Sequence, residues 1–193
     1  MSDVAPRILE VGALKALAHS LRQQMLTRLQ REGPATSADL AAAFGADRGA
    51  TSYHLRQLER FGFVEEDVER SAGRRRYWRA VPQDLRLPRG AADPEVAEAA
   101  RALGRQWIDR GRQELHDHLT NRVAGDPFTE AALHSYGGAK LTPDELRQFS
   151  EEYIAFLKRW QREPGQETPG SEYVTVLFHA FRSPADRRTE AAS

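Results

Sequence analysis

The sequence has no cysteine, only three lysines among its 28 basic residues, and no long apolar run. The absence of cysteine excludes disulfide bonds, thiolate metal sites, cysteine nucleophiles and thiol-based redox sensing. No apolar segment approaches the roughly 20 residues that a transmembrane helix needs. The N-terminus, MSDVAPRILE, does not show the basic and then apolar pattern of a secretory signal peptide. These absences predict a soluble, cytoplasmic protein.

Net charge is also absent, because 28 basic and 28 acidic residues balance. The two halves differ, since residues 1–81 carry 13 basic and 10 acidic side chains whereas residues 82–193 carry 15 and 18. Arginine supplies 25 of the bases, and its planar guanidinium suits paired contacts to phosphate and guanine. A GC-rich genome would give the same preference for arginine. The N-terminal part is therefore the better candidate for binding nucleic acid.

Short helices followed by a hairpin are predicted for the first 81 residues. Apolar spacing and capping residues predict helices at 8–18, 21–32, 38–44 and 48–61. Strands are predicted at 63–70 and 75–81, joined by the turn Ser71-Ala72-Gly73. This order of elements is typical of a winged helix-turn-helix.

The fourth predicted helix, RGATSYHLRQLERFGF, has two different faces. At 100° per residue, Thr51, Leu55 and Leu58 share one face and are expected to pack inward. The other face and the first turn carry small, polar and basic side chains: Arg48, Gly49, Ser52, Tyr53, Arg56 and Arg60. A helix in the major groove of DNA reads base edges with its N-terminal residues. A solvated helix face is the alternative, and the surrounding elements favour DNA contact.

The tip of the predicted hairpin is strongly basic. Arg74, Arg75 and Arg76 follow Gly73, so at least one of them points outward whatever the register. Such a tip, beside a recognition helix, suits the phosphate backbone or the minor groove. Solubilising surface charge is the alternative.

Three sequence pieces carry a family resemblance: LKALAHSLR, TSYHLRQLERFGFVEE and the Gly-Arg wing ending in YWRA. Residues 10–81 resemble the winged-helix domain of ArsR-type bacterial transcriptional regulators. The resemblance implies DNA-facing positions at Arg48, Gly49, Ser52, Tyr53 and Arg56. The sequence departs from the family pattern at Ser20, where many members have proline. This difference is expected to affect only the start of the helix predicted at 21–32.

Metal binding is not expected from the residues present. Metal-sensing members of the family use cysteine in the third helix, or an Asp-x-His pair with a distant histidine, and neither is found here. Glu114 and His118 lie at i and i+4, a spacing that two metal ligands can have. A solvated pair is the more ordinary interpretation. We therefore predict no metal and no cofactor.

The second half is predicted to contain a linker at 82–93, a long helix at 94–121 and a small β-α-β unit at 128–182. In that unit, strands are expected near 131–141 and 172–181 with a helix at 143–162, followed by a disordered tail at 183–193. The whole chain is thus predicted to be mainly α, of α+β class. No catalytic motif is present, so an enzyme is not expected.

The long helix is a candidate for dimerisation, because pairing with a second copy would bury Leu103, Trp107 and Leu115. Packing on the chain's own C-terminal part is the alternative, and both interactions are compatible. Aromatic residues are also spaced to line a pocket for a small apolar or aromatic effector: Trp107, Phe149, Tyr153, Phe156, Trp160 and Phe178. An ordinary hydrophobic core is the alternative interpretation of this set.

These patterns predict a transcriptional regulator that binds double-stranded DNA and acts as a repressor. A homodimer would match a palindromic operator, and a small effector would release it. A winged-helix module that binds proteins, without sequence-specific DNA binding, is the alternative.

Overall fold

The computed structural model of the chain describes residues 7–73, 75–162, 166 and 168–183. The chain divides into two compact units, residues 1–120 and residues 121–193. Among the residues described, no helix combines the length and the apolar character needed to cross a membrane.

The first unit contains five helices and five short strands within its described residues. They are β1 (Arg7–Ile8), α1 (Val11–Leu17), α2 (Ser20–Glu32), β2 (Ala35–Thr36), α3 (Ser37–Phe44), α4 (Arg48–Arg60), β3 (Val64–Glu66), β4 (Tyr77–Ala80), β5 (Leu85–Arg86) and α5 (Pro94–Thr120). The predicted winged helix-turn-helix order is confirmed. The mainly α, α+β class is confirmed with it.

Three strands form the wing, in the order β2-β4-β3 and all antiparallel. Trp78 at the centre pairs with Ala35 on one side and with Glu66 on the other, and its side chain is buried. The strand β2 was not predicted, because a two-residue strand has no recognisable sequence pattern and exists only through its partner. This pairing ties the start of α3 to the wing.

The helix-turn-helix is defined by side chains that cap its helices. Thr36 caps α3 by accepting from the Asp39 amide, and Asp39 reciprocates in a capping box. Gly45 ends α3 in the left-handed region, with φ of 59°, where glycine is favoured. Asp47 then caps α4 by accepting from the Ala50 amide at 2.9 Å. Because Thr36 is the cap, α3 begins at Ser37, one residue before the predicted start at 38.

The core of the first unit joins all of its helices to the wing. Its largest fully buried side chains include Leu14, Leu17, Met25, Leu40, Leu55, Leu58, Phe63 and Leu103. Each such side chain contributes about 1.5–3 kcal/mol on burial. Leu103 belongs to α5, and Trp107 packs against the same core. The long helix therefore packs along its first half on the chain's own N-terminal helices, mainly on α1.

The segment predicted as a linker, residues 82–93, contains ordered contacts. Its strand β5 pairs in parallel with β1, with Arg7 opposite Leu85. Arg7 also donates to Gln83 at 2.8 Å, and Arg86 forms an ion pair with Asp84 at 2.8 Å. This segment is held to the first unit rather than acting as a free spacer.

The second unit contains two helices in its described part, α6 (Pro127–Ala131) and α7 (Pro143–Lys158). The helix α7 begins at the predicted residue 143, after a capping box in which Thr142 and Glu145 bond reciprocally, and it ends earlier than the predicted residue 162. The helix α6 was not predicted. Of the predicted tail, 183–193, only Ser183 is described.

The two strands predicted for the second unit are wrong. Neither 131–141 nor 172–181 forms a strand, and no described residue of this unit is buried. Alternation and β-branched residues make a segment suitable for a sheet, but a strand needs the backbone groups of a partner. In this single chain the segment 172–181 instead contacts α7 through Phe178, which stacks on Tyr153 with ring centroids 3.7 Å apart.

Candidate nucleic-acid interface

The two faces of α4 are those expected from its sequence. Thr51, Leu55 and Leu58 are buried, whereas Arg48 and Arg56 are exposed. The Asp47 cap fixes where α4 begins and therefore which residues occupy its first turn. The predicted DNA-facing residues thus lie on the accessible side of a helix that is anchored by its apolar face.

A concave groove joins α4 to the start of α3 and to the wing. Its lining residues are Thr36, Ser37, Ala38, Asp39, Arg48, Ser52, Arg56, Arg75, Arg76 and Trp78. Five predicted interface residues, separated by up to 28 positions in sequence, therefore share one surface. Gly49 and Tyr53 do not line this groove. Both are exposed nearby on α4. Arg74 lies outside the described residues.

The described lining of the groove is predominantly cationic. Four of its side chains are arginines and one, Asp39, is acidic. Hydrogen bonds from the side chain and backbone of Thr36 lower the pKa of Asp39, and nearby Arg75 and Arg28 act in the same direction. The first turn of α3 lines the groove as well, and the N-terminus of a helix favours anions. The chemistry of this surface suits a phosphate.

The wing arginines are held by neighbouring side chains. The Arg76 guanidinium lies 5.7 Å from the ring centroid of Trp78 and donates to Glu66 at 2.7 Å. The Arg75 guanidinium lies 6.0 Å from the ring centroid of Tyr77. These contacts restrict the two arginines before any ligand arrives.

Sequence reasoning missed the contribution of α3 to this surface. Thr36, Ser37, Ala38 and Asp39 line the groove because β2 pairs with β4 and brings the start of α3 beside the wing. The sequence does carry the helix-start signal Thr-Ser-Ala-Asp. Its position beside the wing depends on a strand pairing that local patterns do not reveal.

The residues predicted to line an effector pocket fall into separate groups. Trp107 packs against the core of the first unit. In the second unit, Phe178 stacks on Tyr153, and its ring centroid lies 5.9 Å from that of Phe149. The rings of Phe156 and Trp160 are 6.5 Å apart. The space between Tyr153 and Phe178 is filled by their own rings, and an effector pocket remains a prediction.

The pair considered for a metal is engaged elsewhere. The carboxylate of Glu114 accepts from Arg31 at 2.7 Å, which ties α5 to α2. No cluster of three or more histidine, aspartate or glutamate residues suited to a metal ion occurs among the described residues.

A family comparison decides the nature of the first unit. Residues 17–67 match the family model of a helix-turn-helix domain. This part of the chain is a helix-turn-helix domain. The matched residues contain the ArsR-like run TSYHLRQLERFGFVEE in full together with β2 and β3 of the wing, and β4 follows them. The domain is therefore ArsR-like, as its motifs predict.

Solved structures with similar sequences include transcriptional regulators. A possible transcriptional regulator for arsenical resistance is 32% identical over 57% of this chain and 97% of its own, with a TM-score of 0.33. A homodimeric winged helix-turn-helix DNA-binding domain from Mycobacterium bovis, a possible ArsR-family regulator, is 27% identical over 56% of this chain and 80% of its own, with a TM-score of 0.34.

The antimony-specific transcriptional repressor AntR is 28% identical over 51% of this chain and 76% of its own, with a TM-score of 0.34. The family match and the elements of the first unit together show the helix-turn-helix domain. No curated protein is significantly similar to the chain.

Proposed function

We propose that this chain is a transcriptional regulator that binds double-stranded operator DNA through α4 and the wing. The observation that supports the proposal is the shared groove, in which Arg48 and Arg56 of α4 are joined by Arg75 and Arg76 of the wing. A cationic surface built from a recognition helix and a neighbouring hairpin suits contacts to base edges by the helix and to phosphates by the hairpin.

In this proposal the N-terminal half of α4 enters the major groove. The small residues Gly49 and Ala50 allow the backbone to approach the bases closely, and Ser52, Tyr53 and Arg56 supply hydrogen bonds. Gly49 also lies against the cap, because a Cβ added there would be 2.9 Å from the Asp47 carboxylate. A small residue at position 49 therefore serves both the cap and the approach to DNA.

The wing is assigned to the phosphate backbone. Arg75 and Arg76 lie beside the α4 arginines, and Arg74 is assigned to the same role from the sequence alone. Because Arg76 is paired with Glu66 in the free protein, binding exchanges a carboxylate for a phosphate. Such an exchange adds less affinity for DNA than an unpaired arginine would add. Because the phosphate contacts of the wing are then weaker, the base contacts of α4 account for more of the selectivity among DNA sequences.

We further propose a homodimer, acting as a repressor on a palindromic operator in the cytoplasm. Support comes from the second half of α5, where Ile108, Leu115 and Leu119 are exposed in the single chain. Their spacings of seven and four residues place them on one face of the helix. A second copy of α5 would cover this face. Sedimentation equilibrium at micromolar concentration is expected to give twice the chain mass of 21.7 kDa, and a mass near 21.7 kDa would contradict the dimer.

The DNA-binding proposal is tested by selecting bound fragments from the source genome and measuring their affinity by fluorescence anisotropy as salt is varied. The double variant Arg56→Ala/Arg75→Ala is expected to weaken binding through the lost base contact of Arg56. The lost wing contact of Arg75, one in each chain of the dimer, is expected to reduce the magnitude of the slope of log K against log salt by about 2, since each lost phosphate contact removes about 0.9. The charge-matched control Arg147→Ala/Arg162→Ala, on exposed arginines of the second unit, is expected to leave the slope unchanged.

Two outcomes would contradict the assignment. Unchanged binding in Arg56→Ala/Arg75→Ala would show that this surface is not the DNA-binding face. Absence of any duplex binding at low salt would favour a protein-binding winged helix instead.

A further inference from the structure

Behind the exposed face of α4, two histidines and an arginine form a cluster that the proposed DNA contacts do not use. The ring of His54, on α4, lies 4.4 Å from the ring of His19, the residue that precedes α2. The Arg22 guanidinium of α2 lies 3.4 Å from the Nδ1 atom of His54. The cluster is therefore part of the contact between α2 and the recognition helix.

Arg22 is fixed in place by the end of α1. Its Nη2 donates to the carbonyl oxygen of Lys15 at 3.1 Å, and its Nε donates to the carbonyl oxygen of Ala16. One guanidinium thus connects three helices. The hydrogen bond between Arg22 and His54 therefore sets the position of α4 relative to α1 and α2.

The chemistry of this bond determines the protonation state of His54. A guanidinium only donates hydrogen bonds, so the Nδ1 atom of His54 must accept. An imidazole that accepts at Nδ1 is neutral and carries its proton on Nε2. Protonation at Nδ1 would replace an acceptor with a donor and would place a second cation against Arg22.

Among the residues that the structure describes, those that face His54 provide no carboxylate to compensate such a charge. Those that face it are His19, which precedes α2, Arg22 of α2, and Tyr53 of α4 itself. The ring centroids of Tyr53 and His54 are 5.5 Å apart. From α1 the cluster receives carbonyl oxygens, and the Lys15 ammonium is paired with Glu95 of α5. Gln106 of α5 donates to the neighbouring carbonyl oxygen of Ala18.

We infer that Arg22 and His19 are positioning residues for α4, and that the orientation of α4 that binds DNA requires a neutral His54. The inference rests on the proposed function and adds to it a dependence on pH. In agreement with the geometry, burial lowers the pKa of His54, and the nearby His19 and Arg22 lower it further. Burial likewise lowers the pKa of His19, with Arg22 acting in the same direction.

The test is the ratio of the dissociation constants at pH 5.0 and pH 7.5, measured by anisotropy on one bound duplex at constant ionic strength. For the unmodified chain the ratio is expected to lie severalfold above 1, because each pH unit below the pKa removes up to tenfold of the neutral form. For His54→Gln, whose side-chain oxygen accepts from Arg22 but does not titrate, the ratio is expected to fall to about 1–2. The control His179→Gln, on an exposed histidine of the second unit, is expected to retain the ratio of the unmodified chain.

A second pair of variants separates positioning from simple structural support. Arg22→Met removes every donor and is expected to weaken binding about tenfold at pH 7.5, whereas Arg22→Lys keeps one cationic donor and is expected to recover part of the loss. Imidazole nitrogen chemical shifts in the free protein report directly whether His54 Nδ1 is unprotonated at pH 7.5.

Each outcome supports or overturns a distinct statement. A ratio near 1 in the unmodified chain, tighter binding at pH 5.0, or an unchanged ratio in His54→Gln would overturn the inference while leaving DNA binding intact. A chain that binds no duplex at either pH would overturn the proposed function. In that case, a His54 Nδ1 found protonated at pH 7.5 would overturn the positioning geometry independently.

Discussion

Arg76 Nη2 lies 2.7 Å from Glu66 Oε2, so an arginine of the groove between α4 and the wing is already paired with a carboxylate in the free protein. Both residues belong to the wing, with Glu66 at the end of β3 and Arg76 just before β4. The side chain of Arg76 is 61% exposed, so the pair contributes at most about 1 kcal/mol to stability. The pair matters more for DNA binding than for stability, because the Glu66 carboxylate offsets the positive charge that Arg76 would offer to a phosphate.

Glu66→Gln is expected to tighten binding to non-operator DNA about threefold to tenfold at low salt, because Arg76 no longer exchanges partners. The salt slope should steepen by about 2, because one Arg76 is released in each chain of the dimer. The matched control is Glu65→Gln, which releases Arg79 from its 2.8 Å pair, a residue that does not line the groove. Equal effects of the two substitutions on anisotropy titrations would show that Arg76 has no special position.

The two halves of α5 are expected to respond differently to truncation of leucine. Leu103 is fully buried in the core of the first unit, so Leu103→Ala should lower the free energy of unfolding by about 2–5 kcal/mol. Leu115→Ala/Leu119→Ala, on the exposed part of the helix, should instead weaken self-association. Urea denaturation and sedimentation measure the two effects, and a large loss of stability from the second variant without any change in mass would contradict the division.

The cap of α4 is expected to contribute about 1 kcal/mol to the free energy of unfolding, since Asp47 accepts from the Ala50 amide. Asp47→Ala removes this bond and Asp47→Asn retains an acceptor of similar geometry. Urea denaturation should therefore show the loss only in the alanine variant. If the asparagine variant loses as much, then the charge of Asp47 rather than the hydrogen bond stabilises the helix.

Stability is expected to fall as the pH is lowered from 7.5 towards 5. Burial lowers the pKa of both His19 and His54 in the folded chain, so near and below pH 6.5 the unfolded chain binds more protons than the folded one. Asp39, whose folded pKa is lowered by Thr36, adds a further loss only below about pH 4. Denaturation midpoints across this range should depend less on pH in His19→Gln/His54→Gln. An unaltered dependence would assign the effect to other groups.

Local sequence patterns were sufficient where a single helix determines the outcome. The apolar face of α4, the cap at Asp47 and the capping box of Thr142 were all predictable, because their partners lie within four residues. The same holds for the exposure of Arg48 and Arg56, which follows from the periodicity of a helix anchored by Leu55 and Leu58.

Features that depend on distant partners could not be predicted in this way. The segment 172–181 has the residues of a strand but contacts a helix instead. Leu103 was expected to face a second chain, and it packs in the core of its own. The pairing of Arg76 with Glu66 and the placing of Ser37 in the groove both depend on the register of β4 with its neighbours.

The position of Trp78 has an optical consequence. Its indole is buried at the centre of the wing, lines the groove and lies under the Arg76 guanidinium. The chain has three tryptophans, so Trp107→Phe/Trp160→Phe would leave Trp78 as the only tryptophan. Its fluorescence would then report, without any attached dye, the moment at which Arg76 leaves its place above the ring.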